Sequence, residues 1–209
     1  MTSNRTAHAP RRASGWPVRR TPRWVLGAVA LFLAAAVAVA LVHKPSQAER
    51  ASDMRGFLQT VTSDIESCAA GVGESLTALH QVQAEHYSSS QDVTGGIGVA
   101  QDGAANCSPA NNEQIDDLEN YQVPESLDGF GLMNVVSGLV QWAAPDAERV
   151  QTDVAAVLQA STPQARSAAE ATLDRNLAAL DALRAKVDGP MDKAIKELAM
   201  HASPPRLAG

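Results

Sequence analysis

MRGFLQTVTSDIESCAAGVGESLTALHQVQAEH, residues 54–86, is the stretch whose pattern decides how this 209-residue chain folds. Met54, Leu58, Val61, Ile65, Cys68, Val72, Leu76, Leu79, Val82 and His86 follow one another at steps of three and four. That is the repeat of a single helix face, and it predicts one long helix carrying an apolar seam. Leu58, Val61, Ile65, Val72, Leu76 and Leu79 form a candidate interaction stripe, because a seam this long suits a partner helix. Gly71 and Gly73 each weaken the helix by about 1 kcal/mol relative to alanine. The cost becomes a packing device if another backbone approaches there.

Upstream, Trp24 to Val42 reads WVLGAVALFLAAAVAVALV, with no charged residue. As a helix it would span roughly 28 Å, close to the thickness of a bilayer's hydrocarbon core. Before it stand Arg5, Arg11, Arg12, Arg19, Arg20 and Arg23 and no acid; after it stand 11 Lys/Arg and all 23 Asp/Glu. By the positive-inside rule the N-terminus is cytoplasmic and the acidic region lies outside. Residues 1–23 are expected to be a disordered basic cytoplasmic tail, residues 24–42 a transmembrane signal-anchor, and residues 43–203 an extracytoplasmic domain. The alternative is a cleaved signal: Ala38-Val39-Ala40 and Ser46-Gln47-Ala48 are small-x-small sites. An acidic domain argues against binding a nucleic-acid backbone, which needs clustered basic groups. The Ala- and Arg-rich, lysine-poor composition suggests a bacterial chain.

Downstream, SSSQDVTGGIGVAQDGAANCSPANN, residues 88–112, is dense in Ser, Gly, Asp and Asn and reads as a long loop. A short polar helix is expected over Asn112–Tyr121, with Asn112 as cap. A further helix is expected from Pro124 to Ala160 along Leu132, Val136, Leu139, Ala143, Ala147, Val150, Val154 and Val157, kinked or broken at Pro145. Thr162-Pro163 should open the last long helix, with Leu173, Leu177, Leu180, Leu183 and Val187 on one face. Gly189-Pro190 should end or bend it before a closing helix from Met191 to His201. Residues 204–209 should fray. With no sustained strand alternation, the fold class is all-α: an N-terminal transmembrane helix followed by an extracytoplasmic antiparallel bundle of three to four main helices.

Few residues offer chemistry. Cys68 lies on the seam and Cys107 in the expected loop; two cysteines outside a membrane suggest one disulfide. His80 and His86 are six apart and fall on different helix faces. Gly95-Gly96-Ile97-Gly98 has no following Lys-Ser/Thr, so it is not a phosphate loop. Glu113, Asp116, Asp117 and Glu119 lack calcium-loop spacing. Ser75 lacks the second glycine of a nucleophile elbow. Val123–Leu132 has two readings: a binding edge, or a turn that tucks Leu127 and Phe130 into the bundle, which is favoured.

The expectation is therefore no enzyme, no cofactor and no metal. The chain reads as a membrane-anchored extracytoplasmic interaction or sensing module without intrinsic cytoplasmic output. Its expected partners are the membrane and another envelope protein or a second copy of itself. The rival readings are an envelope enzyme or enzyme accessory subunit with a site near residues 88–131, and a secreted protein.

Overall fold

A computed structural model describes residues 45–207. The basic tail 1–23 and the apolar run 24–42 lie outside the described residues. No helix among the described residues is long and apolar enough to cross a membrane. They are all-helical, without a strand.

The seam read from the sequence forms α1, Gln47–Ala84. Ser46 caps it: its side chain accepts from the Glu49 amide while the Glu49 carboxylate accepts from the Ser46 amide, satisfying two free donors of the first turn. Met54, Leu58, Val61, Ile65, Cys68, Val72, Leu79 and Val82 are buried, and Leu76 is half-buried. At its far end His86 and Tyr87 both take left-handed conformations, with φ of 54° and 57°, and turn the chain back.

The segment after this turn is not a loop. Residues 90–107 form α2, Ser90–Cys107, opened by Ser89, whose side chain accepts from the Asp92 amide. The expected loop 88–112 is corrected on this point, and the cause is specific. The buried positions Gly96, Ala100, Gly103 and Cys107 recur at helical steps, but the stripe is made of small residues and carries little hydropathy. These residues bring α2 very close to α1. A Cβ at Gly71 would stand 2.9 Å from the Gly103 Cα.

The short helix α3, Glu113–Glu119, forms where expected, with Asn112 accepting from the Gln114 amide. The next helix starts later than expected. Glu125–Leu127 is a single 3-10 turn, Gly129 and Gly131 take φ of 92° and 73°, and α4 runs over Leu132–Gln141. The left-handed Gly131 stops any helix from continuing out of Pro124. At Pro145 the expected break occurs: Trp142–Ala147 is a π turn with Ala144 non-helical (φ −130°, ψ 116°), and α5, Glu148–Gln159, comes next.

Thr162 caps α6, Pro163–Glu197, with Pro163 in the first turn. Gly189-Pro190 does not end it, and no separate closing helix forms: one helix runs through the proline. An interior proline costs about 3 kcal/mol. Leu180, Leu183, Val187, Met191, Ala194 and Leu198 are buried on both sides of it in one register, so packing outweighs the lost hydrogen bond. Residues 204–207 do not fray either, since Pro205 and Leu207 are buried.

Cross-links between helices fix the topology. Cys68 is bonded to Cys107, a Cβ at Gly103 would meet Gly71, and one at Gly96 would meet Ala78 and Val82. α2 therefore runs antiparallel to α1. Asn112 donates to Ser67, the Tyr121 and Phe57 rings meet edge to face at 5.8 Å, and Arg50 donates to the Ser126 carbonyl. Thus the chain through α3 continues down α1 to its first turn. α4 and α5 climb again, and α6 descends beside them from Glu170, near Gln83, to Leu198, near Arg50. The result is an up-down-up-down bundle of four columns, two of them interrupted.

Candidate functional site

Two sequence-level candidates meet in the bundle interior. Cys68 and Cys107 form a disulfide, both side chains fully buried, closing a separation of 39 residues. Around it sits a polar node that sequence reasoning missed. Ser75 donates to the Gly71 carbonyl at 2.6 Å and to Gln151 Oε1 at 3.3 Å. Gln151 Nε2 donates to the Cys107 sulfur at 3.0 Å and to the Ala147 carbonyl at 3.3 Å. Buried polar groups are tolerated only when bonded in this way. The node therefore ties α1, α2 and α5 together at one level. The stripes gave no sign of it: Leu76 fills the step between Val72 and Leu79, and Val150 the step between Ala147 and Val154, so both read as unbroken beside Ser75 and Gln151.

The candidate interaction stripe is corrected by the fold. Leu58, Val61, Ile65, Val72 and Leu79 are buried within this domain and Leu76 is half-buried against the same core. The stripe is taken up by the chain's own α2, α3 and α5 and by the segment after α6, so it presents no free apolar seam.

That last segment builds the open site. After α6 the chain reverses at Ala199, with φ of 51°. It then runs as an extended strap, Ser203-Pro204-Pro205-Arg206-Leu207, along α1. A cavity of about 550 Å³ lies between the strap and Thr62, Ile65, Glu66, Ala69 and Ala70 of α1. The volume falls in the range of small-molecule and peptide-anchor sites. Its floor is apolar (Ile65, Ala69), and Thr62, Ser203, Glu66 and Arg206 supply hydroxyls and both signs of charge. The lining thus joins an apolar floor to a polar rim. Nothing in the sequence marked this site, because a five-residue extended segment has no periodicity.

The remaining candidates disperse. His80 and His86 are exposed, His86 at the left-handed turn, and His201 is exposed beyond α6. Gly95, Gly96 and Gly98 belong to the first half of α2. Among the described residues no group of three or more His, Cys, Asp or Glu is placed to hold a metal ion. Leu127 and Phe130 are buried, as in the turn reading of Val123–Leu132. Asp117 of the acidic run does face Asp64 on α1: burial first, and the Asp117 charge second, push the Asp64 carboxyl above its usual range. Burial, Asp64 and Asp53 likewise raise the Tyr121 phenol. Asp53 accepts a short hydrogen bond from Ser126.

No family model, curated protein or solved structure matches this chain.

Proposed function

We propose that the chain is a membrane-anchored, extracytoplasmic helical interaction module whose working surface is the groove between α1 and the strap. The observation that carries this reading is the groove itself, an open cavity of about 550 Å³ with a polypeptide segment already lying along one wall. Its placement outside a membrane rests on the apolar run 24–42, on the six arginines before it and on the acidic balance after it. The buried disulfide supports an oxidising compartment. Cleavage after Ala48 would strip the Ser46 cap from α1, which disfavours that site, whereas cleavage after Ala40 would leave the cap in place.

The test uses the full chain in its native membranes, with a photo-crosslinking residue replacing Glu66 or Ala70, both exposed. A discrete protein adduct is expected, removed by protease added to the outer face of intact cells. Adducts confined to a single copy of the chain would reject the module. Digestion only after the membrane is opened would reject the topology.

A further inference from the structure

One end of the bundle carries features that the groove does not use. Among the described residues Met133 is the large apolar side chain left exposed, at 57%. It stands in the first turn of α4, two residues beyond the left-handed Gly131. Phe130 ties that turn to the start of α1: with Pro45, Gln47, Arg50, Glu197 and Leu198 it lines a second cavity, of about 350 Å³. Arg50 donates through Nε to the Ser126 carbonyl at 2.7 Å and through Nη2 to the Asp128 carbonyl at 3.3 Å. Those bonds hold its guanidinium over the Phe130 ring at 5.1 Å and leave Nη1 without a partner among the described residues. On the α6 side of the cavity, Glu197 is exposed and meets Lys193 only at 3.8 Å. The site thus offers a donor cation, an exposed carboxylate and an apolar wall.

In the anchored reading the chain itself brings this end to a membrane. Only His43, Lys44 and Pro45 separate Val42, the last residue of the apolar run, from the Ser46 cap. Four residue steps reach at most about 14 Å. So short a tether keeps lipid at a high effective concentration, and contacts too weak to hold a free protein suffice. Charge selects the lipid. Residues 43–209 hold 11 Lys/Arg against 23 Asp/Glu, so a purely anionic surface repels the domain. A zwitterionic headgroup instead presents a phosphate to Arg50 and an ammonium to Glu197. We propose that the end of the bundle formed by Arg50, Phe130, Met133 and Glu197 docks on the bilayer. Its cavity takes the headgroup of a phosphate–ammonium phospholipid, and Met133 enters the acyl boundary beside it. This inference rests on the anchored reading and not on the groove.

The experiment uses the full chain reconstituted in vesicles of phosphatidylethanolamine and phosphatidylcholine, with one nitroxide per protein. Because Cys68 and Cys107 are bonded and buried, the label goes to the new thiol of Met133→Cys, of His86→Cys at the far end of α1, or of Leu33→Cys within the apolar run. Collision with oxygen, which concentrates in lipid, is compared with collision with a water-soluble nickel chelate. The expected result is an oxygen-favouring label at positions 133 and 33 and a chelate-favouring one at 86. With phosphatidylglycerol as the sole lipid, the docked fraction read at 133 should fall. Glu197→Gln should lower the docked-to-free ratio about threefold in the first vesicles, as for an exposed ion pair. An unchanged ratio in either comparison would overturn the headgroup assignment. A label in lipid at 33 but in water at 133 would overturn docking and leave the anchor standing. A label at 133 shielded from both reagents would mean burial against protein and would also overturn docking. A label in water at 33 would overturn both.

Discussion

Gln151 Oε1 occupies the space that a side chain at Gly103 would need. A Cβ on Gly103 would overlap that oxygen, and the same oxygen accepts from Ser75 at 3.3 Å. α2 can lie where it does only because residue 103 has no side chain, and Gln151 reaches Cys107 only because of that gap. Gly103→Ala should destabilise the fold by roughly 2 kcal/mol, in the range of overpacked cores. Gln151→Ala should cost a similar amount, through lost hydrogen bonds and a small cavity. In the double variant the alanine methyl enters the vacated space, so the two costs should fall short of additive by about 1–2 kcal/mol. Urea denaturation of the four proteins measures this, and additive costs would contradict the packing described.

The staple beside that node should dominate the stability of α2. Closing a separation of 39 residues is worth about 4 kcal/mol in the chain-entropy model. α2 needs the help, since it contains Gly95, Gly96, Gly98 and Gly103, each costing about 1 kcal/mol in a helix. The double Cys68→Ala/Cys107→Ala variant should lose several kcal/mol in urea, with hydrogen exchange rising first in residues 90–107. Because both sulfurs are fully buried, dithiothreitol should reduce the native protein slowly, at a rate that climbs with added denaturant. Fast reduction without denaturant would show that the staple opens locally.

The end of α1 should be improvable. His86 sits in the left-handed position after the helix (φ 54°), donating its amide to the Gln83 carbonyl, while Tyr87 donates to Val82. Glycine is the residue that takes this position without strain. The His86 side chain is exposed, so nothing is lost with it. His86→Gly should raise stability by about 0.5–1 kcal/mol, seen as a higher thermal midpoint. Tyr87 has a comparable φ of 57°, but the Arg166 guanidinium stacks on its ring at 3.5 Å and Glu170 accepts from its hydroxyl. Tyr87→Gly should therefore destabilise. The opposite signs at adjacent residues separate backbone strain from side-chain packing.

How far the sequence led can be judged from these same residues. α1 and the start of α6 were legible because their signals are local: large apolar residues at helical steps, and Thr162-Pro163 as cap and first turn. α2 was hidden because its buried stripe, Gly96, Ala100, Gly103 and Cys107, is made of the residues that otherwise mark loops. Local propensity and tertiary packing conflict there, and packing with the disulfide wins. At Pro190 the conflict has the same outcome: Val187, Met191 and Ala194 keep one buried face through the proline. The disulfide was legible from the count of cysteines. The groove was not, because it depends on where an extended strap returns along α1, a long-range contact that no local pattern encodes. The apolar stripe on α1 pointed to a partner, and most of that partner is the chain itself.

Asp64 supplies a pH-dependent handle on the α1–α3 contact. Burial and Asp117 hold its carboxyl above the ordinary value of 3.8, so the folded protein binds its proton more tightly than the unfolded chain does. The stabilising share from this proton is fully present below the unfolded value and is lost as pH rises through the raised folded one. At neutral pH the charged carboxylate thus works against the fold, modestly, because much of the group still faces water. Asp64→Asn removes that charge at nearly constant volume and should be more stable than the parent at pH 7, by no more than about 0.5 kcal/mol. The advantage should shrink as the pH is lowered into the carboxylate range, where the parent's Asp64 is itself neutral. Asp117→Asn should move the Asp64 titration downward, measured directly from its carboxyl carbon by NMR. A stability difference between parent and Asp64→Asn that stayed constant from pH 3 to pH 7 would mean that the carboxyl's charge plays no part in it.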